Sequence, residues 1–100
     1  MTEADKNTSE LVPCEAALLN AAKLSIRDDK PIMLDYYCES CNDPEVLIGV
    51  KTNDEKLLVR SSEEYTSPIS KIYKVSTDYI VVTENSVYIV SANIPTKRIS

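Results

Sequence analysis

Two runs of Tyr, Ile and Val, Tyr79-Ile80-Val81-Val82 and Val87-Tyr88-Ile89-Val90, flank the polar stretch Thr83-Glu84-Asn85-Ser86. β-Branched and aromatic residues fit a pleated surface, and the polar residues between them suit a short hairpin loop. Asn85 is the loop residue best suited to a left-handed backbone. Both runs are apolar at odd and even positions, with Tyr79 and Val81 on one face and Ile80 and Val82 on the other. A strand apolar on both faces is covered on both, so the hairpin is expected in mid-sheet with a layer above and below.

Ahead of it the period changes several times. Residues 1–8 are polar and aperiodic, which predicts a disordered segment, and residues 9–100 then form one domain. A helix is predicted over residues 9–27 or 13–27, because Pro13 is tolerated only in a first turn and Ser9 is the better cap. Asp28-Asp29-Lys30-Pro31 ends it. Alternation then predicts a strand carrying Ile32, Leu34, Tyr36 and Cys38 on one face and Met33, Asp35 and Tyr37 on the other. A loop over residues 39–44 leads to a second strand, Val46, Ile48 and Val50 alternating with Leu47, Gly49 and Lys51. Gly49 inside it suggests a bulge, a bend or a close crossing. Thr52-Asn53-Asp54-Glu55 turns the chain into a short third strand over residues 56–60, and residues 69–75 form a fourth. Short loops make sequential strands antiparallel neighbours. The expected fold is α+β: an N-terminal helix packed on a bent antiparallel sheet, or a partly closed small barrel, of about six strands.

The helix has more apolar surface than one buried edge requires. Leu11, Leu18, Ala22 and Ile26 form one stripe, widened by Val12 and Leu19, and Cys14, Ala17, Ala21 and Leu24 form a second of mainly small residues. A surface helix uses an apolar arc of roughly a third of its circumference. Either the helix lies deep across its own sheet, or the small-residue stripe is covered by another chain, since small side chains allow close approach.

Composition narrows the function. The net charge of −5 is uneven: residues 1–50 hold 4 Lys and Arg against 10 Asp and Glu, and residues 51–100 hold 7 against 6. Phosphate binding needs clustered cations, and Lys97-Arg98 is the only such pair, which argues against nucleic acid. No apolar run is long enough to span a bilayer and no leader pattern opens the chain, so a cytoplasmic protein off the membrane is expected. The absence of histidine removes the usual general base and the partner of most Ser and Cys nucleophiles. A single glycine excludes phosphate-cradling loops.

What remains is thiol or carboxylate chemistry. Cys38-Glu39-Ser40-Cys41 has redox and zinc spacing, but a strand running into a loop is the wrong setting for a reactive pair. Even with Cys14 the thiolates number one fewer than structural zinc takes. No catalytic residue, metal or cofactor is therefore assigned. Asp35 on a covered strand face would have a raised pKa, though such residues are more often solvated or paired. The six tyrosines point to contact surface, because Tyr joins apolar area to a polar tip. Tyr36, Tyr37, Tyr65 and Tyr73 exceed what a small core can absorb.

Several segments together, Asp29-Lys30-Pro31-Ile32-Met33-Leu34-Asp35-Tyr36-Tyr37, Glu64-Tyr65-Thr66-Ser67-Pro68-Ile69, Thr83-Glu84-Asn85-Ser86-Val87-Tyr88 and residues 94–100, resemble a group of small uncharacterised proteins of large nucleocytoplasmic DNA viruses. The resemblance implies a viral protein made in the host cytoplasm or carried in the virion. It assigns no catalytic residue.

The expectation is a non-enzymatic interaction or structural module that self-associates or docks on a larger assembly. Its predicted interface is Cys14, Ala17, Ala21, Leu24, Tyr36, Tyr37, Tyr65 and Tyr73. The alternative is a small barrel that binds nucleic acid, with Tyr36, Tyr37 and Tyr73 stacking bases near Lys71, Lys74, Lys97 and Arg98.

Overall fold

A computed structural model describes residues 12–41 and 45–99. The expected disordered segment, the Ser9 cap and Leu11 lie outside the described residues. Helix α1 (Glu15–Asp28) begins just after the buried Pro13, with Cys14 extended at its cap and no side-chain cap bond. It stops at Asp29, which adopts φ 56° and ψ 51° and returns its N–H to the Ser25 carbonyl. The left-handed C-terminal residue satisfies a carbonyl that the helix leaves open.

The strands that follow are β1 (Ile32–Met33), β2 (Leu47–Val50), β3 (Lys56–Ser61), β4 (Glu64–Tyr65), β5 (Ile69–Val75), β6 (Asp78–Thr83), β7 (Val87–Ser91) and β8 (Thr96–Arg98). A short helix, α2 (Tyr37–Cys41), lies between β1 and β2. They form two four-stranded sheets, sheet one in the order β1-β7-β6-β5 and sheet two in the order β4-β3-β2-β8. The molecule is α+β as expected, and the described strands form no closed barrel. Both sheets are mixed: β1 runs parallel to β7, and β8 runs parallel to β2. Each parallel partner comes from far along the chain, so the rule of short antiparallel connections holds in the interior and fails at these two edges.

The central hairpin is covered on both faces. Ile80, Val87 and Ile89 pack beneath Ala17 and Ala21 of α1. Tyr79, Val81, Tyr88 and Val90 face the opposite way and meet Val46, Ile48 and Leu58 of the second sheet's layer. The order of layers is therefore α1, sheet one, sheet two. Ile80, Val81, Val87, Ile89 and Val90 are fully buried, and each such side chain contributes roughly 1.5–3 kcal/mol by leaving water. The β6–β7 loop closes through Thr83, whose Oγ1 accepts from the backbone N–H of Asn85 (3.3 Å) and Ser86 (3.1 Å). Asn85 does not take the left-handed conformation expected of it; among described residues Asp29, Asp54 and Ser76 do. The threonine hydroxyl does the work assigned to an unusual backbone.

The strand predicted to carry Tyr36 and Cys38 ends at Met33. Tyr36 then enters the layer between the sheets while its neighbour Tyr37 enters the layer beneath α1. The chain coils into α2 to serve both cores, with the Ser40 N–H bonded to the Tyr36 carbonyl at 3.1 Å.

Candidate functional site

The predicted helical interface is mostly inside. Ala17 and Ala21 have no exposure and Cys14 and Leu24 pack against the same cluster. The small-residue stripe therefore lets α1 approach its own sheet closely, and it is not free for another chain. Tyr36 and Tyr37 are also buried, at 8% and 6% exposure, and Tyr73 is half-buried against the helix-side core. Tyr36 is enclosed by the Tyr88 ring at 5.5 Å and by the Arg60 guanidinium, also 5.5 Å from its centroid. Arg60 in turn donates to Glu39 at 3.1 Å, tying α2 to β3. Of the predicted interface only Tyr65 stands well out, at 58% exposure. The proposed base-stacking pair Tyr36 and Tyr37 is thus occupied by the fold.

Exposed apolar surface lies elsewhere. Leu18, Leu19 and Ile26 are on the flank of α1 away from the sheet. A second patch is the outer face of sheet two, the one broad sheet face that no described element packs across. There Leu57, Val59, Tyr65 and Ile99 line an open cleft of about 500 Å³ with Lys51, Ser61 and Ser62. An antiparallel sheet normally shows polar side chains to water on such a face. Here the run Leu57-Leu58-Val59 is apolar at consecutive positions: Leu58 fills the core, while Leu57, 8% exposed, and the half-buried Val59 line the cleft under Tyr65 and Ile99, which stand further out. That run is the sequence signal for this face.

Gly49 lies beneath the Ile99 and Val59 side chains of the cleft. It keeps regular pairing with Leu57 in an unbroken β2–β3 register, so there is no bulge. A Cβ there would lie 2.7 Å from Ile99 Cδ1 and 3.0 Å from Val59 Cγ2. The close crossing is by a side chain, with Ile99 folded over the strand and its N–H bonded to the Val50 carbonyl at 2.9 Å.

The two ends of this face differ in charge. At the β2–β3 turn Lys51 lines the cleft and Lys97 pairs with Gly49 beside it, with loose ion pairs Lys51–Glu55 and Arg98–Asp54, each at 3.7 Å. At the β3–β4 end the exposed Glu63 and Glu64 flank the cleft residues Ser61, Ser62 and Tyr65, while Arg60, stacked on Tyr36, and its partner Glu39 lie on the other side of the sheet.

One buried polar cluster centres on Asp78, for which the hydrophobic pattern gives no signal. Asp78 is 1% exposed. Its Oδ1 accepts from the Tyr37 hydroxyl at 2.9 Å and its Oδ2 from the Cys14 N–H at 2.8 Å. Burial, followed by contacts with Cys41 and Asp78, raises the Tyr37 phenol above its ordinary pKa. A carboxylate satisfied by two donors and closed to solvent acts as a latch, joining the start of α1, α2 and the start of β6. Ser40, with no exposure, adds a second tie, its Oγ accepting from Ser91 N–H at 2.9 Å.

The remaining candidates are scattered. Asp35 is exposed in the turn before α2. Among the described residues no cluster of three or more Cys, Asp or Glu has metal-binding geometry, and the three cysteines are free thiols. A groove of about 310 Å³ between α1 and β5 has Lys23, Arg27 and Lys74 on its rim, but Asp28 holds Arg27 at 2.9 Å. Lys97 and Arg98 belong to the other sheet, so the basic residues do not converge. No described helix is long and apolar enough to cross a membrane. Comparison of the chain with protein-family models, curated proteins and solved structures gave no match.

Proposed function

We propose that this chain is a non-enzymatic interaction module that pairs with a second copy of itself through the outer face of sheet two. The observation that carries this reading is the apolar cleft of Leu57, Val59, Tyr65 and Ile99 set between a basic end and an acidic end. A two-fold axis through such a face sets like apolar surfaces against each other and brings each basic end onto the partner's acidic end. Edge-to-edge extension is disfavoured, because the edge strands β4 and β8 carry Glu64, Lys97 and Arg98. Tyr65 and Ile99 are the central anchors in this arrangement.

The reading moves self-association from the helix, where composition put it, to the sheet. The resemblance to proteins of large nucleocytoplasmic DNA viruses extends it to a docking role in a larger viral assembly. Sedimentation equilibrium tests it. The wild-type chain is expected to dimerise, and Val59→Glu or Tyr65→Glu is expected to leave a folded monomer. A wild-type chain that stays monomeric at high concentration, or variants that dimerise as the wild type does, would remove the proposal.

A further inference from the structure

We propose that Cys38 and Cys41 are a redox-active dithiol that closes to an intramolecular disulfide by exchange with a small-molecule disulfide of the glutathione type. The deciding fact is that both residues lie on α2 (Tyr37–Cys41) and not on the strand expected from the alternation. On a strand, residues three apart are about 10 Å apart, beyond the span a disulfide can bridge. On a helix the same spacing brings the Cα atoms to about 5 Å, inside the bridging range of 4.4–6.8 Å.

Access divides the two roles. Cys38 is exposed and meets the incoming disulfide, while Cys41 is half-buried behind it against Tyr37. The short helix is held from beneath: Ser40 Oγ donates to the Tyr37 carbonyl at 2.6 Å and accepts from Ser91 N–H, and Tyr37 is bonded to Asp78. Buried Ser40 thus fixes the backbone between the two thiols. Cys14 stands apart from this chemistry, half-buried with its Sγ directed at the Val75 carbonyl 3.7 Å away.

The exchange proceeds in two displacements. The Cys38 thiolate attacks one sulfur of the external disulfide, whose S–S bond breaks and releases one small thiolate. The Cys41 thiolate then attacks Cys38 Sγ, breaking the mixed disulfide, forming the Cys38–Cys41 bond and releasing the second small thiolate. The two protons lost by the cysteines finish on the two released thiols, and two electrons pass from the protein to the small disulfide.

The experiment is incubation of the reduced protein with glutathione disulfide, followed by alkylation, intact mass and peptide mapping. Wild type and Cys14→Ser are expected to lose two hydrogens, with the bridge mapped to Cys38 and Cys41. Cys41→Ser is expected to stop as a stable glutathione adduct on Cys38, and Cys38→Ser to form no bridge. A wild-type protein that keeps a lasting adduct on Cys38, stays unmodified, or bridges through Cys14 would overturn the assignment. Because both thiols lie on α2, away from the cleft of sheet two, Val59→Glu is expected to leave the bridge unchanged.

Discussion

Gly49 and Ile99 share one volume on the outer face of sheet two: a Cβ on Gly49 would lie 2.7 Å from Ile99 Cδ1. The Ile99 side chain is 42% exposed, so it can swing outward, but the 3.0 Å contact with Val59 Cγ2 has less room to relax. Gly49→Ala is therefore expected to cost about 1 kcal/mol, the low end of overpacking. In an Ile99→Ala background the cost should shrink, which a double-mutant cycle in urea would measure. An equal cost in both backgrounds would show that the two side chains do not compete.

The latch between Asp78 and Tyr37 sets a second expectation. Tyr37→Phe removes a hydrogen bond to a buried carboxylate, and about 1.5–3 kcal/mol of stability should go with it. Asp78→Ala should cost more, because it leaves the Tyr37 hydroxyl and the Cys14 N–H without their acceptor. Denaturant unfolding of the two variants checks the order.

Alkaline pH tests the same contact. Burial is the main cause that raises the pKa of Tyr37, and of Tyr36 and Tyr88, above the ordinary value. Between the unfolded and folded pKa values the unfolded chain has lost protons that the native state retains, so stability falls as pH rises. The contribution is complete below about pH 10, the unfolded tyrosine value, and declines above it by about 1.4 kcal/mol per pH unit for each proton. Tyr37→Phe should reduce that slope by one proton. A slope identical to wild type would separate Tyr37 from the alkaline loss.

Helix α1 offers a contrast between its two apolar stripes. Ala21→Glu places a carboxylate where there is no exposure, and a loss of at least about 3 kcal/mol is expected. Ile26→Glu, at a position 82% exposed, should change stability by no more than about 0.5 kcal/mol. Thermal unfolding of the pair distinguishes them, and comparable losses would mean that the Ile26 flank is covered in solution.

Salt gives a test of the proposed pairing that mutation does not. If basic and acidic ends meet across a two-fold axis, raising salt from low to physiological concentration should weaken the dimer several-fold, because the Debye length falls to about 8 Å. Sedimentation equilibrium across a salt series measures it. Association that strengthens with salt throughout would point to the apolar cleft alone.

The parts of the fold that could be read from the chain are those where one pattern had one physical meaning. Tyr79-Ile80-Val81-Val82 and Val87-Tyr88-Ile89-Val90 are apolar on both faces because layers lie on both sides of them. Pro13 and Pro31 bracketed α1 for steric reasons that any fold respects. Alternation over residues 32–38 misled because Tyr36 and Tyr37 serve two different cores, which a short helix achieves as readily as a strand does. The same ambiguity put Cys38 and Cys41 in the wrong setting. The two α1 stripes are legible, but the pattern leaves open which cover the small-residue stripe has, because alanines suit close contact with a sheet as well as with a partner helix; here it lies against the chain's own sheet. Asp78 gave no local signal, since its partners Cys14 and Tyr37 are remote in sequence.

The two parallel edge pairings are expected to be the last to form as the molecule folds. Strands β5, β6 and β7 are consecutive and can zip together from neighbouring residues, whereas β1 must find β7 and β8 must find β2 after long loops close. Long-range closure is slow because its entropy is lost before any contact forms. Ile99 follows β8, so the greasy floor over Gly49 is completed only when that late strand docks. Pulse-labelled amide exchange should accordingly show protection in β6 and β7 before β8. Leu57, Val59 and Tyr65 belong to the locally paired β3 and β4, so the proposed pairing surface gains its Ile99 anchor last, only on finished molecules.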